Sequence, residues 1–213
     1  MPKQEEQPRP DSSKPFNPLS KESLSRSLTE AFFKSKLHPL PPIEKFPGAG
    51  VYALYYVGKL PLYKELLERN VVSELAAPIY VGKAVPSGSR KGGADFDSAT
   101  GFALHKRLRN HAESIKQTDI LETSDFQCRY LIVDDIWIPL AESLLIAKFQ
   151  PLWNVVIDGF GNNPQGKGRI DQKMSSWDVI HSGRKRAEQL KPGAKSKEEI
   201  EARIDAFFKE RHG

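Results

Sequence analysis

Apolar positions fall into short runs divided by polar stretches, and the spacing within each run predicts its element. Residues 1–18 are charged, Pro-rich and without apolar periodicity, which predicts a flexible arm. Leu24, Leu28, Phe32 and Phe33 then recur at helical spacing behind the candidate caps Ser20 and Ser23, and Pro39, Pro41 and Pro42 end that helix in a stiff connector. The unbroken apolar and aromatic run over 51–57 suits a central strand, 62–70 reads as a short helix, and 78–82 as the next strand. A loop over 84–100 carries Gly88, Gly92 and Gly93 among serines, Arg90 and Lys91.

A helix is predicted over 102–117 and a buried strand over 126–133, rich in β-formers and poorly alternating. Pro139 sits well at the start of a helix that runs to Phe149 and ends at Pro151-Leu152-Trp153-Asn154. A glycine-rich loop over 159–168 follows, and two or three shorter helices complete the chain, the last near 197–209. Helices and three strands follow one another in this order, without internal repeats.

Composition narrows the partners. The 213 residues suffice for one good-sized core with appendages. With 32 Lys and Arg against 27 Asp and Glu the net charge is +5, which favours an anionic partner. The single cysteine, Cys128, excludes an intrachain disulfide and a multi-Cys zinc site. No apolar run approaches the ~18 residues of a membrane span, and the polar, Pro-rich N-terminus is unlike a signal peptide. A soluble cytoplasmic protein is expected.

Four features carry chemistry. Arg107 and His111 are i and i+4, side by side on one flank of the stripe made by Leu104, Leu108, Ala112 and Ile115. They form either the edge of a cleft or part of a solvated basic face with Lys106, Arg109 and Lys116. Glu142 lies on the helical face of Leu145, Ile146 and Phe149, and a carboxylate on an apolar stripe needs a partner. That partner is either a buried Arg or Lys or a hard divalent cation, since one carboxylate with phosphate oxygens and water is a typical Mg²⁺ shell. Tyr52 and Tyr80 each stand near a glycine in a strand, as Gly50-Val51-Tyr52 and Tyr80-Val81-Gly82. Such tyrosines often merely pack, but the glycines allow close approach of a substrate or mark bulges. Lys83, directly after Gly82, would lower a neighbouring phenol's pKa or contact a phosphate.

Taken in order, Gly50-Val51-Tyr52, Tyr80-Val81-Gly82, Arg107, Glu142 and Asn154 resemble the GIY-YIG nuclease superfamily over roughly residues 48–156. His111, together with 79–86, 151–154, Asp158-Gly159-Phe160-Gly161-Asn162 and Trp177-Asp178-Val179-Ile180-His181, resembles more narrowly the type II restriction endonucleases that cut CCGCGG, out to about residue 186. The two tyrosine motifs stand farther apart than in the minimal family module, so the segment holding the 62–70 helix reads as an insertion.

The resemblance implies an α+β fold, with a small three-stranded antiparallel sheet flanked by helices. It divides the chain into an arm (1–18), a helix with a Pro-rich connector (19–47), a catalytic core (48–156) and a glycine-rich loop with a helical extension (157–213). It also implies Mg²⁺-dependent hydrolysis of a phosphodiester, with Mn²⁺ as a substitute. Glu142 would hold the metal and Tyr52 would act as general base, its pKa of about 10 depressed by the metal, Lys83 or Arg107. His111 would share the Tyr52 proton, Arg107 would hold the scissile phosphate, and Tyr80 would position the nucleophile or phosphate. Asn154 would orient Glu142 or a strand end. Candidate contacts to double-stranded DNA are Arg90, Lys91, Lys167, Arg169, Arg184 and Arg186, each reading a guanine or touching a phosphate. A palindromic target implies a two-fold homodimer, and restriction implies a cognate DNA methyltransferase in the host. A structure-selective repair nuclease would share the catalytic residues, but the match beyond residue 156 argues against it. A homing-type nicking enzyme would carry repeated DNA-binding modules that are missing here, and the full set of motif residues argues against a non-catalytic DNA-binding derivative.

Overall fold

In the structure, a computed structural model, residues 19–72, 76–86, 101–161, 172–185 and 187–211 are described. The arm expected over 1–18 and most of the loops expected over 84–100 and 159–168 lie outside them. Four strands, β1 (His38–Pro39), β2 (Gly50–Tyr56), β3 (Tyr80–Ala84) and β4 (Phe126–Ile132), form one antiparallel sheet in the order β1-β4-β2-β3. The α+β class and the three expected strands hold as β2, β3 and β4. The strand count is corrected from three to four. The extra strand is a two-residue edge piece paired to Gln127 and Cys128; its proline, read as a helix stop, is also tolerated at a sheet edge.

β2 is an unbroken apolar run because helices cover both faces of the sheet at its centre. Val51, Ala53 and Tyr55 meet Phe32 of α1 (Lys21–Lys34) and Ile138, Ala141 and Leu145 of α4 (Ile138–Phe149). Tyr52, Leu54 and Tyr56 face the larger core. There they join Leu104, Leu108, Ala112 and Ile115 of α3 (Ala103–Lys116) and Trp153 of α5 (Leu152–Val155). Trp177 of α6 (Ser176–Ile180) and Ile200, Ile204 and Phe208 of α7 (Lys197–Lys209) complete that layer, so the C-terminal extension is part of the main core. Local signals start these last helices: Ser175 caps α6, and Ser196 forms a capping box with Glu199 at α7.

The insertion, with α2 (Lys64–Val72), is tied to the extension by a buried polar chain. Trp153 Nε1 donates to Tyr63 Oη at 3.1 Å, and Tyr63 Oη lies 2.6 Å from His181 Nε2. His181 Nδ1 is 2.9 Å from the Trp177 carbonyl, which can only accept. Nδ1 therefore carries the proton, Nε2 accepts from the Tyr63 hydroxyl, and His181 is neutral. Burial pushes the His181 pKa down to about 3.

That histidine links stability to pH. Its ordinary pKa is 6.5, so its contribution is complete above that pH and is lost as the pH falls from there toward 3. The unfolding free energy obtained from urea titrations should drop across that window, by up to about 1.4 kcal/mol per pH unit from this group. A His181→Gln variant should be less stable at pH 7 but show a shallower decline toward acid.

Candidate active site

Strand alternation places the two motif tyrosines on one face. Tyr52 of β2 pairs with Gly82 of β3 on one side and with Tyr130 of β4 on the other. Tyr80, two residues before Gly82, shares that face, and its ring lies 6.2 Å from the Tyr52 ring. A Cβ at Gly82 would fall on the Tyr52 hydroxyl and against the Tyr80 ring. The second motif thus needs glycine for side-chain space. Gly50 serves the first motif differently, since a Cβ there would strike the β4 backbone at the Leu131 carbonyl.

From α3, Arg107 and His111 reach the same point, one turn apart as their spacing predicts. His111 Nε2 lies 2.5 Å from Tyr52 Oη, and Arg107 Nε donates to that oxygen at 3.3 Å. Arg107 Nη2 donates to the Gly161 carbonyl at 2.5 Å. Phe160 stacks on the His111 imidazole, with centroids 4.5 Å apart and planes 18° from parallel, and meets the Tyr80 ring edge-on at 5.0 Å. A Cβ at Gly161 would fall on the Tyr80 hydroxyl. Tyr52 and His111 are buried, whereas Tyr80, Arg107, Lys83 and Glu142 are half-buried and form the open edge of the cluster.

Burial raises the Tyr52 pKa well above 10; Tyr80 pushes it further and Arg107 pulls it back in part. Burial also lowers His111 well below 6.5, followed by the positive charges of Arg107 and Arg184. Both groups are therefore neutral at rest. Arg107 donates to the phenol oxygen, and the Tyr52 hydroxyl and His111 Nε2 share one hydrogen bond. Of the groups expected to depress the phenol, Arg107 acts in that sense but burial outweighs it. Lys83 plays no such part. It projects from the opposite face of β3, beside Val51, and pairs with Glu142 at 2.7 Å.

Glu142 comes from α4, which covers the other face of the sheet, and meets the cluster at the β3 edge. Of the two readings of this carboxylate, the structure realises the ion pair, with a lysine side chain 39% exposed rather than a buried one. The Glu142 carboxyl is 20% exposed, and its charge reaches Tyr80, whose pKa rises mainly through burial, falls through Arg107 and rises again through Glu142. Among the described residues no group of three or more His, Cys, Asp or Glu could hold a metal by itself. A single accessible carboxylate fits a hard cation such as Mg²⁺, which takes one or two carboxylates and completes its shell with phosphate oxygens and water.

Asn154 holds a strand, as one of its two expected roles has it. Its Oδ1 accepts from Val81 N at 2.8 Å and its Nδ2 donates to the Val81 carbonyl at 2.9 Å. With Trp153 N donating to the Ile79 carbonyl at 2.9 Å, α5 closes the outer edge of the strand bearing Tyr80. The side-chain amide replaces the peptide group a neighbouring strand would supply.

Of the six candidate DNA contacts, Arg90, Lys91, Lys167, Arg169 and Arg186 lie outside the described residues. Arg184 is corrected. Its side chain is 2% exposed, ion-paired with the equally buried Asp178, and donates from Nε to Asp178 Oδ1 at 2.6 Å. Releasing it to bind DNA would strand a buried carboxylate. Phe160 and Gly161 are additional site residues to which the sequence assigned no role. Their sequence signal is the Asp158-Gly159-Phe160-Gly161-Asn162 segment that carries the narrower resemblance.

No helix among the described residues is long and apolar enough to cross a membrane. No curated protein sequence matches the chain. The family described as the Eco29kI GIY-YIG domain matches residues 44–208, a span that takes in both tyrosine motifs, Arg107, His111, Glu142, Asn154 and the helical extension. A cluster built on two glycine-spaced tyrosines and covered by that match shows that the chain belongs to the Eco29kI family of GIY-YIG endonuclease domains.

Proposed function

We propose that the chain is a type II restriction endonuclease that hydrolyses one phosphodiester in each strand of a palindromic DNA duplex, CCGCGG, in a Mg²⁺-dependent reaction. The observation that carries this reading is the Tyr52 hydroxyl held between a neutral imidazole and a guanidinium, with the half-buried Glu142 carboxylate at the strand edge acting on Tyr80.

Hydrolysis needs a base toward water and neutralisation of the charge that builds on the phosphorane. Tyr52 takes a proton from the attacking water while its own hydrogen passes to His111 Nε2, so no free phenolate has to accumulate. The raised phenol and lowered imidazole proton affinities keep both groups neutral until water attacks the phosphate. Because Tyr52 is buried beneath Arg107, the guanidinium moves from the phenol oxygen onto the scissile phosphate as DNA binds, which opens the hydroxyl to water. Tyr80, at the rim, orients the phosphate. Glu142 would hold Mg²⁺, which would supply neutralisation of the charge building on the phosphate; in the structure Lys83 is the counter-ion of that carboxylate. Two copies related by a two-fold axis present one site to each strand, and a cognate methyltransferase protects the host's own sites.

Plasmids with and without CCGCGG, digested with Mg²⁺ and with EDTA, test the reading. Discrete Mg²⁺-dependent double-strand cuts at that sequence are expected; cleavage of forked duplexes alone would assign a structure-selective repair nuclease instead. Tyr52→Phe should lower single-turnover cleavage by about 10²–10⁴-fold, the usual worth of a general base, while duplex binding persists. Near-normal cleavage would remove Tyr52 as base. Glu142→Gln should abolish the response to added Mg²⁺. The neutral imidazole sets the pH dependence: activity is held above the His111 pKa and lost as the pH falls through it. The acid limb of the rate profile should therefore lie below pH 6.5, and a limb at or above 6.5 would contradict a neutral His111 as acceptor.

A further inference from the structure

We propose that Arg184 is a positioning residue: clamped by Asp178, it fixes the turn at 159–161 that presents the Phe160 ring to His111 and the Gly161 carbonyl to Arg107. A buried arginine on the C-terminal extension, outside the tyrosine motifs, thereby governs the geometry of His111 and Arg107, which both touch Tyr52.

The connections form one chain. Asp178 sits in the first turn of α6, where Ser175 Oγ caps the helix and donates to Asp178 Oδ2 at 2.6 Å. Its Oδ1 takes the Arg184 Nε–H and pairs with Nη2. The guanidinium lies over the Trp177 ring at 4.4 Å and donates at 3.4 Å from Nη1 to the Phe160 carbonyl and from Nη2 to the Gly159 carbonyl. Gly159 has φ +104°, and a Cβ there would strike Ser175. The turn is therefore held from both sides, by the α6 cap at Gly159 and by Arg184 on two successive carbonyls. What it delivers is the stack on His111 and the carbonyl acceptor of Arg107 Nη2.

A planar fork with several N–H donors can serve a carboxylate and two carbonyls at once; an ammonium cannot do so in the same geometry. The Asp178 carboxylate neutralises the buried charge, yet the residual field still acts on His111, whose proton affinity Arg184 lowers after burial and Arg107. Among the described residues, the titratable and charged groups facing His111 are Tyr52 on β2, Tyr80 on β3, Arg107 on α3 and Arg184 itself.

The kinetic arm of the test rests on the nuclease reading, whereas the titration arm does not. With the full chain labelled at its histidines, the His111 titration is followed by NMR without DNA, and single-turnover cleavage of CCGCGG plasmid is measured across pH. Arg184→Lys keeps the charge and loses the fork. It should leave the His111 midpoint low, lower the maximal rate by up to about 10²-fold, as expected for small misplacement of reacting groups, and leave duplex affinity unchanged. Arg184→Met should lower the rate similarly and in addition raise the His111 midpoint toward 6.5. Asp178→Asn, which leaves the guanidinium uncompensated, should not raise it. Wild-type rate and pH profile in folded Arg184→Lys would overturn the proposal, as would a His111 midpoint that moves the same way in Arg184→Met and Asp178→Asn. If Arg184→Met does not fold, the other two variants decide. If the wild-type protein cuts no DNA, the nuclease reading fails while the titrations still decide whether Arg184 acts on His111.

Discussion

A phenol hydroxyl buried at the centre of a sheet cannot be left without partners, and the arrangement around Tyr52 answers that constraint. The hydroxyl is hydrogen-bonded to His111 and accepts from Arg107, both carried on one face of α3 a turn apart. Room for it exists only because the neighbouring strand has a glycine opposite. Desolvation keeps the imidazole uncharged, and an uncharged imidazole is what a buried phenol can donate to. Packing and chemistry are thus the same contact: the burial that stabilises the core also fixes the protonation states the proposed reaction starts from.

The rest of the site follows from the sheet's edge. Tyr52 and Tyr80 face the layer of α3, while Lys83 and Glu142 belong to the opposite layer. The two groups meet only because β3 is the outermost strand, so a carboxylate from α4 can act on Tyr80 around its margin. An open edge there would leave backbone groups unpaired. Asn154 and the Trp153 amide close it without adding a strand, and the groups of the rim remain accessible.

The extension after residue 156 is woven into this arrangement at three levels. Its aromatic and aliphatic residues fill the core beneath Tyr52. The Tyr63–His181 contact locks the insertion against it. The turn at 159–161 supplies a ring for His111 and a carbonyl for Arg107. The minimal tyrosine module is here completed by residues far away in sequence, which agrees with the long span of the family match.

The order and spacing of residues by themselves determined the family, the three main strands, the helices bearing Arg107, His111 and Glu142, and the common face of Tyr52 and Tyr80. Each of these depends on local periodicity or on a motif read in order. Tertiary structure alone decided the rest, because each remaining point is a contact between distant segments. Periodicity shows that Glu142 lies on an apolar stripe but not that Lys83 would reach it around a strand edge. Two residues in a Pro-rich connector form a strand only because β4 offers them an unpaired edge. Arg184 reads as one of a basic cluster until Asp178 and the 159–161 carbonyls bury it. That burial outweighs Arg107 at the Tyr52 phenol is likewise spatial, since a pKa is set by desolvation and by neighbouring charges in space, neither of which is written in the order of residues.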